Sequence, residues 1–180
     1  MSSSGNTSEV KKGSPRSVPV RDDKYMGLAM WMASFSKDPH TQVGAVIIGE
    51  GNVPLGWGYN GPPRSIMDHS VNWDRPFKYD FMVHAEDNAI THSTGSLKDA
   101  TLYVTAKPCK KCMLKIASER FRRVVWFPHK SNDVNSILNH SDDNEVADEI
   151  ARLANITLSK YTGNLNWMRD RMDNEKAWHL

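Results

Sequence analysis

The two cysteines of this 180-residue chain, Cys109 and Cys112, stand three positions apart in the stretch TLYVTAKPCKKCMLKIA. A β-branched and aromatic run leads into Pro108 and then into the pair. Proline suits the first turn of a helix, where a missing N–H costs little. The pair is therefore expected where a strand hands over to a helix. A helix N-terminus favours thiolates, and two sulfurs at this spacing can reach one ion. The spacing admits a redox dithiol, half of a metal site, or a coincidence. It excludes a secreted disulfide scaffold, which needs more cysteines, so the fold must rest on a hydrophobic core. With 39% hydrophobic and 24% charged residues such a core is available, and the length suits one domain.

The pattern around the pair predicts an α/β sandwich, with helices on both faces of a mixed five-stranded sheet. Apolar residues at helical spacing give a first helix over 22–36. VGAVIIGE and the run through GWGYNG read as an antiparallel hairpin with Glu50, Gly51 and Asn52 in its turn. A loop of about 20 residues follows, a length that is usually functional inside a compact domain. FMVHAEDNAITHS reads as a second helix, ATLYVTA as a strand, 109–119 as a third helix and RRVVWF as a strand. The segment 128–144 reads as irregular, EVADEIARLANI as a helix, TLSKY as a short strand and NWMRDRMDNEKAW as a terminal helix. Residues 1–20 are Ser-, Gly-, Pro- and Lys-rich and read as a disordered tail, leaving 21–180 as a single domain. The tail has no apolar signal region, and no stretch approaches the roughly 18 to 20 apolar residues that span a bilayer. A cytosolic or nuclear protein is expected.

Catalytic zinc takes three protein ligands and keeps a fourth position open. The sequence completes such a set with His84, which opens a helix after a loop, 25 residues before Cys109. Glu86 is too close in sequence to His84 to be an easy fourth ligand, and is placed to handle protons of the activated water instead. A redox dithiol would follow the first strand of its fold, and this pair follows the third. A structural zinc would need a fourth Cys or His, and His92 is two turns along the helix from His84. His40, His69, His92 and His179 read as surface or loop residues. H-x-E followed by P-C-x-x-C resembles the zinc nucleobase deaminases. Either half alone is weak; together, in this order and on two helix starts, they are specific.

The runs SKDPHTQVGAVI, GWGYNG, HAEDNAI and ATLYVTAKPCKKC are together similar to the deoxycytidylate (dCMP) deaminase family, over about 23–158. That resemblance implies a cytidine deaminase-like three-layer α-β-α fold and zinc-dependent conversion of dCMP to dUMP and ammonia, the thymidylate precursor step in pyrimidine metabolism. It also implies a homo-oligomer, commonly a hexamer, activated by dCTP and inhibited by dTTP. His84, Cys109 and Cys112 match the zinc ligands and Glu86 the proton shuttle. Asn60 resembles the residue that contacts the sugar, residues 41–44 (Thr41 and Val43 among them) would line the pocket beneath the base, and Ala85 would adjoin the substrate. Gly58, Tyr59 and Gly61 would help to form the allosteric nucleotide site, although Gly58 and Gly61 are also expected simply as turn glycines after a strand.

The chain departs from the family at its phosphate end. Lys130 is followed by Ser131 where the family carries a tyrosine, Lys107 stands before Pro108 where an uncharged or acidic residue is more usual, and Arg64 lies in the long loop. Lys and Arg are phosphate binders, so a dCTP or 5-substituted dCTP substrate is the alternative. Binding dCTP as an effector would recruit the same residues, so the charge alone does not separate the two. A polynucleotide editor is the rival from another class. The net charge of only +2, the lack of a basic stripe with interleaved aromatics, and the expectation that Trp31 and Trp126 are core residues all weigh against it. Trp57 and Trp73 bracket the long loop as candidate ligand contacts. A catalytically dead scaffold is the third reading, and the presence of all four site residues weighs against it.

Overall fold

A computed structural model describes residues 18–128 and 141–173. Among these residues five strands form one sheet: β1 (Gly44–Ile48), β2 (Pro54–Tyr59), β3 (Thr101–Val104), β4 (Arg123–Trp126) and β5 (Thr157–Lys160), in the order β2-β1-β3-β4-β5. The β1–β2 and β1–β3 pairs are antiparallel, and β3–β4 and β4–β5 are parallel. The helices are α1 (Arg21–Ala33), α2 (Ala85–Thr91), α3 (Lys110–Ser118), α4 (Ser141–Leu153) and α5 (Asn166–Met172).

The two-residue period of a strand sorts the core into two layers. Ala45, Ile47, Leu102, Val104 and Val124 face one side, against Ala85, Ala89 and Ile90 of α2, Met113 and Ile116 of α3, and Ala147 and Ala151 of α4. Val46, Ile48, Tyr103 and Val125 face the other, against Met26 and Ala29 of α1, with Tyr161 and Leu165 closing the layer. Helices on both faces bury β1 and β3 along their whole length, as expected for central strands. Trp167 and Met168 of α5 pack on α1 at Gly27, so this helix docks on its own domain.

Several boundaries differ from the sequence expectation. The second helix starts at Ala85, because Val83 is drawn into an isolated antiparallel bridge with Gly61 and Phe77–Asp80 forms a separate 3-10 turn. Residues 141–144, inside the stretch read as irregular, belong to the fourth helix. Trp31 is 48% exposed rather than in the core. The first helix is apolar on most sides, so period alone did not choose its inner face, and the sheet is met by Met26, Ala29 and Ala33. Trp126 is half-buried at the end of β4, with the Lys107 and Lys160 ammonium groups over its ring. The expected tail up to residue 17, Lys130, His179 and the end of the terminal helix lie outside the described residues.

Candidate metal and active centre

His84 is the N-cap residue of α2 and Cys109 that of α3, both in extended backbone. Neither side chain caps its own helix, so both project from the paired helix starts. Cys112 lies in the first turn of α3. Two contacts fix where α2 begins. The bridge exchanges Gly61 N–H to Val83 O at 3.1 Å and Val83 N–H to Gly61 O at 2.8 Å, immediately before His84. Gly58, inside β2 and not in a turn as the sequence suggested, lies directly under the helix. A Cβ there would stand 2.5 Å from Ala85 O and 2.4 Å from Ala89 N.

His84 Nδ1 is 3.6 Å from Cys109 Sγ and 3.3 Å from Cys112 Sγ, and the three ligand atoms all lie within 4.8 Å of one another. Zinc bonds of about 2.3 Å to sulfur and 2.0–2.1 Å to nitrogen at tetrahedral angles put S and N about 3.6 Å apart. The donor set and its spacing therefore fit zinc. The three groups hold their protons unevenly. Hydrogen bonding from Cys112, reinforced by His84, pulls the Cys109 thiol down to about 4 against the effect of burial. The contact with Cys109 lifts His84 to about 9, and the same contact together with burial drives Cys112 up. Only Cys109 is held as a thiolate; a metal takes both thiols ionised and the imidazole neutral, so zinc binding there would release protons from His84 and Cys112.

Glu86 is 4% exposed in the first turn of α2. Burial pushes its carboxyl above the usual range, against the pull of His84, which suits a group that must both accept and return a proton.

The structure brings Asn60, Thr41 and Val43 together. Asn60 Oδ1 accepts the Val43 N–H at 2.7 Å and Asn60 Nδ2 donates to Thr41 O at 2.8 Å. The amide thus clasps the chain entering β1 to the end of β2. Ala85 is fully buried in the α2 core contact. Tyr59 is exposed with its ring 6.0 Å from that of Phe35, and Arg64 is exposed. Lys107 is turned to α4, 2.7 Å from an Asp148 oxygen. One pair was not legible in the sequence: Asp38 and Lys78 are both buried and joined. Asp38 before Pro39 signalled only a turn, and a lysine in a polar loop reads as a surface charge.

A sheet with helices on both faces, and His, Cys and Cys converging at two helix starts beside a buried Glu, make the site of a hydrolytic enzyme whose three donors could hold a metal ion. Residues 19–127, more than half of the chain, match the family model described as cytidine and deoxycytidylate deaminase zinc-binding region. The chain is 32% identical over 145 residues to deoxycytidylate deaminase of Mus musculus, covering 77% of this chain and 78% of that one. It is 32% identical over 144 residues to the Homo sapiens enzyme, covering 76% and 77%. The crystal structure of a cyanophage S-TIM5 dCMP deaminase in complex with dCMP and dUMP shares the fold, with a TM-score of 0.58 at 23% identity over 81% of this chain and all of that one. The chain belongs to the deoxycytidylate deaminase family and is a deaminase.

Proposed function

We propose that the protein is a zinc-dependent deaminase of a free deoxycytidine nucleotide, converting dCMP to dUMP and ammonia. The observation that carries this reading is the convergence of His84, Cys109 and Cys112 at zinc-fitting distances beside the buried carboxyl of Glu86. His84, Cys109 and Cys112 would hold the zinc, which would supply a water of lowered pKa at neutral pH. Glu86 takes a proton from that water and passes it to N3 of the cytosine ring as oxygen bonds to C4. Glu86 then delivers the second water proton to the exocyclic amine. The C4–N bond breaks, ammonia leaves and a carbonyl remains at C4. Asn60 contacts the sugar, Thr41 and Val43 line the pocket beneath the base, and Ala85 adjoins the substrate.

The relatives named deoxycytidylate deaminase support dCMP as substrate. Lys107, a candidate extra phosphate contact, is already paired with Asp148, which favours the monophosphate over dCTP. Activation by dCTP and inhibition by dTTP, a site for them at 58–61 with Arg64 as a phosphate contact, Lys130 as a contact to the substrate phosphate, and a homo-oligomer of six chains belong to the same reading. So does a cytosolic location; among the described residues no helix is long and apolar enough to cross a membrane.

The test is ammonia release by zinc-loaded protein supplied with dCMP, dCTP or a cytosine-containing single-stranded DNA, with and without a non-hydrolysable dCTP analogue. Turnover of dCMP, raised by the analogue and abolished in Glu86→Ala while zinc stays bound, is the expected outcome. Turnover of dCTP or DNA with none of dCMP would overturn the substrate assignment.

A further inference from the structure

Lys78 is the second residue of the 3-10 turn Phe77–Asp80, in the long loop that leads to His84. Its side chain is only 1% exposed, and Nζ donates to both oxygens of Asp38, at 2.7 and 2.6 Å. The Asp38 carboxylate also accepts the backbone N–H groups of His40 at 2.8 Å and Thr41 at 3.1 Å, and its second oxygen lies 3.5 Å from Asn60 Nδ2. One ammonium thus stands behind the whole hydrogen-bonded group of Asp38, His40, Thr41, Val43 and Asn60. From the same loop, Arg75 Nη2 reaches Thr41 Oγ1 at 3.4 Å.

A buried ion pair gains little stability over an apolar pair of similar size, because desolvation offsets most of the attraction. What it fixes is geometry. An ionised Asp38 held from two sides has one orientation, and that orientation sets the turn from which Thr41 and Val43 enter β1. We propose that Lys78 is a positioning residue for the nucleotide pocket, locking the 38–43 segment and, through Asp38, the Asn60 amide. The inference rests on the deoxycytidine nucleotide reading of that pocket. Lys78 acts through Asp38, so its removal loosens substrate binding more than it slows proton transfer at Glu86.

The experiment compares wild type, Lys78→Met, the double variant Asp38→Asn/Lys78→Met and Met26→Ala, all zinc-loaded. The double variant removes both charges and so avoids an unpaired buried carboxylate if the single variant fails to fold. Met26→Ala is a control that destabilises the α1 layer, away from the pocket. For dCMP, the Lys78 variants are expected to raise KM about tenfold or more with kcat within about threefold of wild type, at unchanged zinc content. Hydrogen exchange at His40, Thr41 and Val43 is expected to speed up about tenfold or more in the same variants. Met26→Ala should lower the melting temperature without either effect. A Lys78 variant that melts earlier but keeps the wild-type KM, or keeps wild-type exchange at those amides, would overturn the proposal. Wild-type protein that does not turn over dCMP would overturn the substrate reading instead, and the exchange result would still decide whether Lys78 locks the segment.

Discussion

Arg123 grips Asp22 with two hydrogen bonds, of 2.9 and 2.7 Å, joining the first turn of α1 to the start of β4. Tyr103, from the middle of the sheet, donates its hydroxyl to the same carboxylate at 2.8 Å. Burial alone would raise the Asp22 carboxyl, but Arg123 and Tyr103 outweigh it and hold it below the ordinary value of 3.8. A carboxyl depressed in the folded state stabilises the protein at pH values above its unfolded pKa. That contribution is lost as the pH falls through the folded value. Stability should therefore drop on acidification below about pH 4, and part of the drop should vanish in Asp22→Asn, which starts from a lower plateau at pH 7. Urea midpoints for the two proteins from pH 7 to pH 3 check this; parallel curves would rule it out.

Metal removal should silence the enzyme reversibly. Zinc analysis is expected to find one ion per chain in wild type, and sharply less in Cys109→Ser, Cys112→Ser and His84→Ala. Dialysis against a chelator should abolish ammonia release, and added zinc should restore it. Full turnover by the chelated protein would remove the metal from the chemistry.

The seat of α2 is expected to tolerate no side chain. In Gly58→Ala the new Cβ meets backbone atoms of Ala85 and Ala89 rather than a flexible side chain, so the helix carrying Glu86 must shift. Overpacking of this kind costs about 1–3 kcal/mol, and turnover should fall with stability. Gly61→Ala, where a Cβ meets nothing within 4 Å, should leave stability within about 0.5 kcal/mol of wild type. Thermal melts of both variants, with activity for Gly58→Ala, make the comparison.

The faces of α1 should differ in the same way. Met26→Ala removes a fully buried side chain and should cost about 2–5 kcal/mol. Trp31→Ala removes a larger side chain that is half in solvent and should cost less. Denaturant unfolding ranks the two, and a Trp31 variant as damaged as the Met26 variant would place Trp31 in contacts beyond this chain's own core.

Much of this was legible in the sequence because it depends on local rules. Strand runs, the Pro108 helix start and the Cys109/Cys112 spacing each have a short-range physical signature, and each stands where those signatures placed it. The convergence of His84 with the two cysteines was legible from the ligand count that zinc requires. What was not legible depends on partners far along the chain. Lys78 and Asp38 lie 40 residues apart, and nothing in either local stretch marks them as buried. The role of Gly58 was misplaced for the same reason: a glycine at a strand end suggests a turn, and only the packed helix shows that the need is for close approach. Trp31 was misplaced because a helix apolar on most sides does not announce its inner face.

The bridge between Gly61 and Val83 separates the history of the long loop from that of the metal centre. Two backbone hydrogen bonds close the loop at its base, and His84 leaves from the far side of that closure. Lys78 pins the loop a second time, and the stretch 62–77 between them is tied down by side chains, through Arg75 to Thr41, Asp68 to Lys37 and the buried Val71. The entropy of closing a loop grows only slowly with its length. Length changes between those contacts therefore cost little closure entropy, and the backbone closure at Gly61 and Val83 stands between them and His84. The fold thus uncouples the length of the loop from the seat of the reaction centre, because the strand-like closure before His84 absorbs what happens upstream of it.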